Sequence, residues 1–409
     1  MFKMTCLRRR FAFVAQASRL QLSRYAGGSP ALRGRSRKYL LLAFAFLTLV
    51  SAAAEPDEDH RAWQHGIDLL RIGDQLLLVW GSPGNPPRAN PGGDWQHDIY
   101  TAWLKPALDA AALPVEPRLL VSRPEAQEPP SAAINSRGAI LVTSEDGSDG
   151  INQYAGLWDS ALHVLRKYPL MIKRGGHSGH VAALGENFLV AYGEGWVDGG
   201  GFLDRGTGKD IYVRSVGPDG KPGGESKLSS GHRDGWPLVA ASDRNWLVVW
   251  QRYPQMTLQL ALISAAGNVI VQRQIIDGLP VRYAYDVEFA PALGAYVVAG
   301  ATGEEGFVGL VGVNGELLKL QRGLPPMASE SRIILGSGGA QTIAVYPVRP
   351  RGVAVVRLAA GAIELLRLID QPYTWDYAGT TGVFVAPDQV LFATLSITGM
   401  RLIPVRIRD

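Results

Sequence analysis

Short apolar runs of five residues recur seven times along the chain, and each contains β-branched or aromatic side chains. The last residues of successive runs lie 47 to 63 residues apart. Short strands at a period near 50 residues are typical of β-propellers, in which each repeat forms one four-stranded blade. The pattern therefore predicts an all-β, seven-bladed β-propeller with four-stranded antiparallel blades. The runs are Leu76–Trp80, Ala139–Thr143, Phe188–Tyr192, Trp246–Trp250, Ala295–Ala299, Thr342–Tyr346 and Val390–Thr394.

Each run is expected to be the second strand of its blade, because a turn and another apolar segment precede it. Asp219-Gly220 and Asn314-Gly315 are expected to form the turns between strands three and four, since both dipeptides favour tight turns. One domain over residues 55–409 is predicted. Its blades are expected near 66–125, 131–174, 179–230, 236–277, 284–324, 331–370 and 380–409.

The last predicted blade has only three strands before the sequence stops. The segment Asp59–Gln64 is expected to supply a fourth strand and to close the ring, which would hide free strand edges. A weak helical pattern is present around Ala102–Leu113. The 48 glycines and 46% hydrophobic residues suit an all-β protein with many turns.

Residues 1–54 have the composition of a secretory leader. They contain ten Lys or Arg and no acidic residue, and Arg35, Arg37 and Lys38 precede the apolar run Tyr39–Val50. Small residues follow at 51–54, so a cleaved signal peptide is predicted. An uncleaved membrane anchor is the alternative, although the run is short for a span. We expect an exported protein, periplasmic or secreted, with no membrane span in the mature chain.

The charge of the chain depends on this leader. Of 41 basic residues, ten lie in 1–54, whereas all 37 acidic residues follow it, so the mature part is net acidic. The basic composition of the whole chain is therefore no argument for nucleic-acid binding. Cys6 is the only cysteine and lies in the leader, so the mature chain has no disulfide. A monomer stabilised by its core is expected.

The blades also resemble a known group of proteins. Trp246–Trp250 contains the sequence LVVW, Asp98-Ile99-Tyr100 and Asp210-Ile211-Tyr212 open third strands, and Asp219-Gly220 forms a turn. This order resembles the repeat of bacterial exported β-propeller proteins, whose blades read LVVW…DIY…DG. The resemblance covers most of the mature chain and is sharpest in blades one, three and four. It implies the fold and leaves the function open.

The predicted register assigns the loops to two faces. If strand one is innermost, the loops that enter strand one and the loops between strands two and three share a face, which we call the long-loop face. Loops on rigid scaffolds often carry function, so this face is the expected binding surface. The candidate ligand-binding residues in the entering loops are His177, His180, His232, Arg233, Asp234, Trp236, Arg282, Tyr283, Tyr285, Trp375, Asp376 and Tyr377. The loops between strands two and three add Trp95, His97, Trp196, Asp198, Asp204 and Arg205.

Aromatic rings beside Arg, Asp and His suit sugar binding, because rings stack on sugar faces and charged groups bind hydroxyls or carboxylates. The expected partner is a glycan or a cell-envelope protein, with no cofactor. Trp236 and Tyr285 lie beside strand starts, so packing between blades is the alternative for both.

The same residue types are also compatible with metal binding or catalysis. His177, His180 and His232 could approach one another as zinc ligands, but equivalent repeat positions also explain their spacing, and no metal site is predicted. Acidic turns at 145–150 and at Asp198 and Asp204 lack the spacing of a calcium loop. The catalytic alternative is a sialidase-like glycoside hydrolase or a lyase acting on an acidic glycan. It would use Arg174, Arg233, Arg282 and Arg332 with Tyr283, Tyr377, Glu330 and Asp234.

Overall fold

Seven antiparallel sheets follow one another along the chain, each built from consecutive strands. Six have four strands and the last has three, within the residues that the computed structural model describes. The prediction of a seven-bladed β-propeller is confirmed. The described residues are 64–84, 96–106, 115–195, 208–278, 283–303, 305–337, 341–375, 378–396 and 399–408.

The first three blades comprise twelve strands. Blade one contains β1 (His65–Ile72), β2 (Gln75–Ser82), β3 (Asp98–Leu104) and β4 (Arg118–Val121). Blade two contains β5 (Gln127–Ile134), β6 (Ile140–Asp146), β7 (Asn152–Trp158) and β8 (Val164–Arg174). Blade three contains β9 (Gly176–Leu184), β10 (Asn187–Glu194), β11 (Asp210–Val216) and β12 (Pro222–Lys227).

The other four blades complete the ring. Blade four contains β13 (Arg233–Ala241), β14 (Asn245–Tyr253), β15 (Thr257–Ser264) and β16 (Val269–Ile276). Blade five contains β17 (Tyr285–Ala290), β18 (Ala295–Thr302), β19 (Glu305–Gly312) and β20 (Leu317–Leu324). Blade six contains β21 (Ile334–Ser337), β22 (Thr342–Pro347), β23 (Val353–Ala359) and β24 (Ala362–Ile369). Blade seven contains β25 (Thr380–Ala386), β26 (Gln389–Ser396) and β27 (Gly399–Arg406).

The first strand of each blade lies innermost. β1 contacts β5, β5 contacts β9, and first strands continue to contact each other through β13, β17, β21 and β25 back to β1. The Gly66 N–H donates to the Ala378 carbonyl at 2.8 Å, which joins the first and last blades. The predicted closing strand lies mostly outside the described residues, and Gln64 has no strand structure.

The seven apolar runs lie in the second strands, except that Ala139 precedes β6. The weak helical prediction is wrong for Ala102–Leu104, which belong to β3, and residues 107–113 lie outside the described residues. Inside the described ranges, no helix is long and apolar enough to cross a membrane.

Second strands are apolar on both faces because each blade packs between two others. Along β14, Leu247 and Val249 contact the core shared with blade five, which includes Tyr285. The alternate residues, including Trp250, contact the core shared with blade three, which includes Leu189. Side chains on a strand alternate between faces, so a continuous apolar run serves two cores at once.

Trp250→Ala is expected to lower the free energy of unfolding by about 3–5 kcal/mol, because the indole is fully buried between blades three and four. Urea denaturation measures the change. Leu318→Ala on the outer strand β20 is the control, since Leu318 is 52% exposed, and its cost should stay within about 0.5 kcal/mol. A loss below about 1 kcal/mol for Trp250→Ala would contradict this packing.

Candidate functional site

The innermost strands are distorted where they reach the long-loop face. Bulges interrupt the pairing of β5, β9 and β13 with their second strands. Pairing continues on the N-terminal side of each bulge, so these strands begin earlier than the sequence predicts. In six blades a residue here has a left-handed backbone, namely Gly66, Ser178, Trp236, Tyr283, Glu330 and Gly379.

Left-handed backbone is strained for Trp236, Tyr283 and Glu330, whose φ angles are 55°, 47° and 48°. Trp236 and Glu330 each contact Tyr283. The Trp236 and Tyr283 rings stack with centroids 4.5 Å apart, and the Glu330 N–H donates to the Tyr283 carbonyl at 3.0 Å. The strained positions therefore bring side chains from blades four, five and six together at the mouth of the channel.

Two histidines complete this group, which we call the axial plug: His65, His180, Trp236, Tyr283 and Glu330. The His65 ring stacks on Trp236 at 6.1 Å, and the His180 ring meets Trp236 edge-on at 5.0 Å. His65 Nε2 lies 3.2 Å from a Glu330 carboxylate oxygen. All five residues are buried.

A second carboxylate extends the plug towards blade two. His65 Nδ1 lies 3.6 Å from Glu128, and His97 Nδ1 is hydrogen-bonded to the same Glu128 oxygen. His97 was predicted to lie on this face, and it does so in contact with blade two. The chain His97, Glu128, His65 and Glu330 thus crosses from blade one to blade six.

Very little space remains on the channel axis inside the plug. A cavity there touches residues from all seven blades, among them Gly66, Pro130, His180 and Gly379. It offers about 20 Å³ to the centres of water molecules, which is room for about one water. A sugar ring does not fit in that space.

A charged cluster lies beside this cavity. Arg332 donates to Asp286 at 3.1 Å and lies 3.5 Å from Asp68, so it joins blades six, five and one. Asp286 also accepts the Ile333 N–H at 2.7 Å, and Asp68 accepts the Ala132 N–H at 2.7 Å. Although burial opposes it, Asp68 and Asp286 raise the pKa of Arg332 above its ordinary value.

Glu288 lies two residues beyond Asp286 on the innermost strand β17. The Glu288 side chain is accessible to water, but protein atoms surround it on most sides. This is expected for a group that points into a channel. Burial and the neighbouring Asp286 carboxylate raise the pKa of Glu288 to about 8. Burial also raises the pKa of Asp286, against the opposing effect of Arg332.

The two buried histidines of blade three are held in the neutral form. Burial lowers the pKa of His177 to about 4, and burial followed by the charge of Arg332 lowers the pKa of His180 well below its usual value. His180 Nδ1 is bonded to the Pro237 carbonyl at 2.9 Å. His177 packs so closely over Gly193 that a Cβ there would lie 2.6 Å from its ring. His180 is therefore part of the blade three–four contact, and His177 packs against the second strand of its own blade.

The remaining predicted site residues are dispersed. Tyr285 packs in the core of blades four and five, and its hydroxyl donates to the Trp236 carbonyl at 2.6 Å. Trp375 packs on Phe392 in the core of blades six and seven, and its indole N–H donates to the Gly352 carbonyl at 2.6 Å. Arg233 lies over the Tyr253 ring at 5.2 Å.

Some predicted candidates lie outside the described residues, namely Trp95, Trp196, Asp198, Asp204, Arg205, Arg282, Asp376 and Tyr377. Packing between blades, the alternative for Trp236 and Tyr285, is what the structure shows for both.

Space for a ligand lies away from the axis. A groove of about 430 Å³ opens where the end of blade three meets blade four. It lies on the long-loop face, because its residues come from the loop entering β13 and from the end of β14. We call it the off-axis groove, and it is lined by Lys227, Leu228, Ser229, Ser230, His232, Arg252 and Gln272.

Arg252 is the best-fixed charge in the off-axis groove. Its Nε and one terminal nitrogen donate to the two oxygens of Asp234 at 3.0 and 3.3 Å. Asp234 is fully buried, so this carboxylate is a support for Arg252 and does not face the groove. The pairing sets the plane of the guanidinium and uses Nε and one terminal nitrogen, while Arg252 also lines the groove.

Of the nine predicted contacts that the structure describes, His232 is the one that lines this groove. Sequence reasoning missed Lys227, Ser229, Ser230, Arg252 and Gln272. Arg252 had a usable signal, because it follows the apolar run of blade four by two residues and so had to reach the long-loop face. Gln272 lies within an outer strand and had no such signal.

Metal chemistry finds no support in the described ranges, where no group of three or more His, Cys, Asp or Glu is placed to hold an ion. The acidic turn of blade two is occupied by protein groups. Asp146 accepts the Ser148 N–H at 2.8 Å and the Tyr168 hydroxyl at 3.1 Å, and Arg123 lies 3.5 Å away.

No family model matches the sequence, and no curated protein matches it. Solved structures do resemble the fold. Hydrazine synthase from Kuenenia stuttgartiensis aligns with a TM-score of 0.52 at 10% identity, covering 86% of this chain and 98% of that one. The WD40 domain of Toxoplasma gondii coronin aligns with a TM-score of 0.51 at 10% identity, covering 86% and 84%.

These similarities place the chain among β-propellers and show the fold alone. An enzyme and a WD40 domain share that fold, so it does not select a function. The narrower resemblance to bacterial exported repeat proteins stays a prediction.

Arg332→Met is expected to lower the free energy of unfolding by about 3–5 kcal/mol, because it leaves the buried Asp286 carboxylate without its cation. Arg351→Met is the matched control, since Arg351 is 54% exposed and pairs with Asp370 on the surface. Its cost should stay below about 1 kcal/mol in the same urea titration. Equal small losses for both variants would mean that Arg332 does not join the blades.

Glu288 is expected to make stability fall as pH rises. Its pKa is 4.5 when unfolded and about 8 when folded, so between these values the unfolded state releases the proton more readily. Glu288→Gln should therefore flatten the decline in unfolding free energy between pH 5 and pH 8, measured by urea denaturation at unit pH steps. Glu316→Gln, on an exposed turn, is the control and should leave the slope unchanged. The same slope in Glu288→Gln as in the unmodified protein would exclude this role.

Proposed function

We propose that this protein is an exported propeller that binds a carbohydrate on its long-loop face. The observation that carries the proposal is where space exists: the mouth of the channel is filled by the axial plug, whereas the off-axis groove has about 430 Å³. That volume lies within the range of small-ligand sites, roughly 300–1,000 Å³. Export rests on the predicted leader of residues 1–54.

The lining supports a hydrophilic ligand. Every lining residue except Leu228 carries a side chain that donates or accepts hydrogen bonds. Hydroxyl-rich molecules suit such a surface, while an apolar ligand would displace water from these groups without replacing its hydrogen bonds and would lose affinity. Loops and strand ends of the rigid ring hold the groups in place, which limits the entropy lost on binding.

The geometry disfavours the sialidase-like alternative. That activity needs several arginines free to bind one substrate carboxylate, but Arg332 is already paired with Asp286 and Asp68. Arg233 lies against Tyr253 and lines neither the axial cavity nor the groove. We therefore propose binding without glycosidic cleavage.

The direct experiment is a glycan array with the purified protein. Binding is expected to at least one carbohydrate class, and Ser230→Trp is expected to reduce it by about tenfold or more, because Ser230 is an exposed residue of the groove lining. Arg244→Trp is the control, since Arg244 lies in the turn between β13 and β14 on the opposite face. Its binding should match that of the unmodified protein.

Two results would contradict the proposal. One is an array without a bound glycan, together with capture of a cell-envelope protein that Ser230→Trp abolishes, which would make the partner a protein. The other is glycan binding that Ser230→Trp leaves intact, which would place the ligand elsewhere.

A further inference from the structure

We infer that the off-axis groove recognises the carboxylate of an acidic saccharide, with Arg252 as the anchoring residue. This inference rests on the proposed carbohydrate binding and adds the chemical class of the ligand. Its starting point is the charge of the lining. The groove presents Lys227, His232 and Arg252, and the described residues that line it include no Asp or Glu.

The fixed position of Arg252 favours a planar anion. The Asp234 carboxylate accepts from Nε and one terminal nitrogen of Arg252, and this carboxylate is fully buried. The terminal nitrogen that remains can donate two hydrogen bonds into the groove. A guanidinium held in one orientation matches the geometry of a carboxylate and loses little entropy when it binds one.

Lys227 adds charge beside Arg252 with less constraint. Its ammonium lies 2.8 Å from Asp210 and 5.5 Å from the centre of the Tyr212 ring. Lys227 itself lines the groove, so its ammonium, although paired with Asp210, is a second cationic group at the groove. Two cations at one wall attract an anionic ligand, and salt weakens this attraction at an exposed site.

The uncharged wall explains why the anion should belong to a sugar. The Gln272 amide nitrogen donates to the Leu228 carbonyl at 2.6 Å, and the amide oxygen of Gln272 can accept a hydrogen bond from a hydroxyl. Ser230 is exposed and can donate or accept. An inorganic anion has no hydroxyls to satisfy these groups, whereas a uronate offers both a carboxylate and hydroxyls.

Calorimetric titration of the purified protein tests the inference with three probes: a uronic-acid trisaccharide, its neutral counterpart and inorganic phosphate. The uronate is expected to bind about tenfold or more tightly than either of the others, and its affinity should fall as salt increases. Arg252→Gln should remove about tenfold or more of the uronate affinity and leave binding of the neutral sugar nearly unchanged. Arg244→Gln is the matched control, because Arg244 is 76% exposed on the opposite face.

Arg252→Gln also leaves buried Asp234 without a partner, so its folding is checked by circular dichroism. Lys227→Gln provides an independent variant, since its partner Asp210 is only partly buried and can still accept a hydrogen bond from the glutamine amide, and the variant should reduce the salt dependence of uronate binding. Equal binding of acidic and neutral trisaccharides, unchanged by Lys227→Gln, would overturn the carboxylate inference and leave carbohydrate binding standing. Phosphate as tight as the uronate would overturn the sugar assignment. Binding of none of the saccharides would overturn the proposed function itself.

Discussion

The packing of each blade between two neighbours is the interaction on which the rest of this structure depends. The second strands bury both faces, as β14 does with Val249 on one side and Trp250 on the other. Burial of this kind stabilises by about 25 cal/mol per Å² of apolar surface. It requires the ring to close, because an open ring would expose one such face on each terminal blade. The contact of β1 with β25 meets that requirement.

Closure has a cost at the axis, where seven first strands converge. Polar side chains there lose contact with bulk water and must find partners within the protein. Arg332 with Asp286 and Asp68, and His65 with Glu330, are such partnerships between blades. These ion pairs explain why residues of the type found in active sites stabilise the centre of this structure instead. Among the described residues, the off-axis groove lies away from this crowding, where blades three and four diverge, and there ligand-sized space is present.

The strands were largely predictable, and the reason is physical. A second strand buried on both faces has to be continuously apolar, so the strand at Trp246–Trp250 can be predicted from the sequence without tertiary information. The face of each loop followed from strand order in the same way. First strands were less predictable, because bulges such as the one before Leu238 break the alternation on which the reasoning depends.

The contacts of individual side chains could not be predicted from the sequence. Nothing local distinguishes Trp375, which packs in a core, from an aromatic residue that stacks on a sugar. Asp234 was predicted as a ligand contact, yet it supports Arg252, a residue 18 positions later that the pattern did not select. Such pairs depend on the register between strands, and that register is fixed only when the blade is assembled.

The central claim is that ligand binds in the off-axis groove while the axial plug keeps the mouth of the channel filled. A crystal structure of the protein with a bound uronic-acid oligosaccharide tests it most directly. The account predicts the sugar carboxylate within hydrogen-bond distance of Arg252, with His65, Trp236 and Glu330 still in contact at the axis. A saccharide seated at the channel mouth in place of those contacts would contradict it.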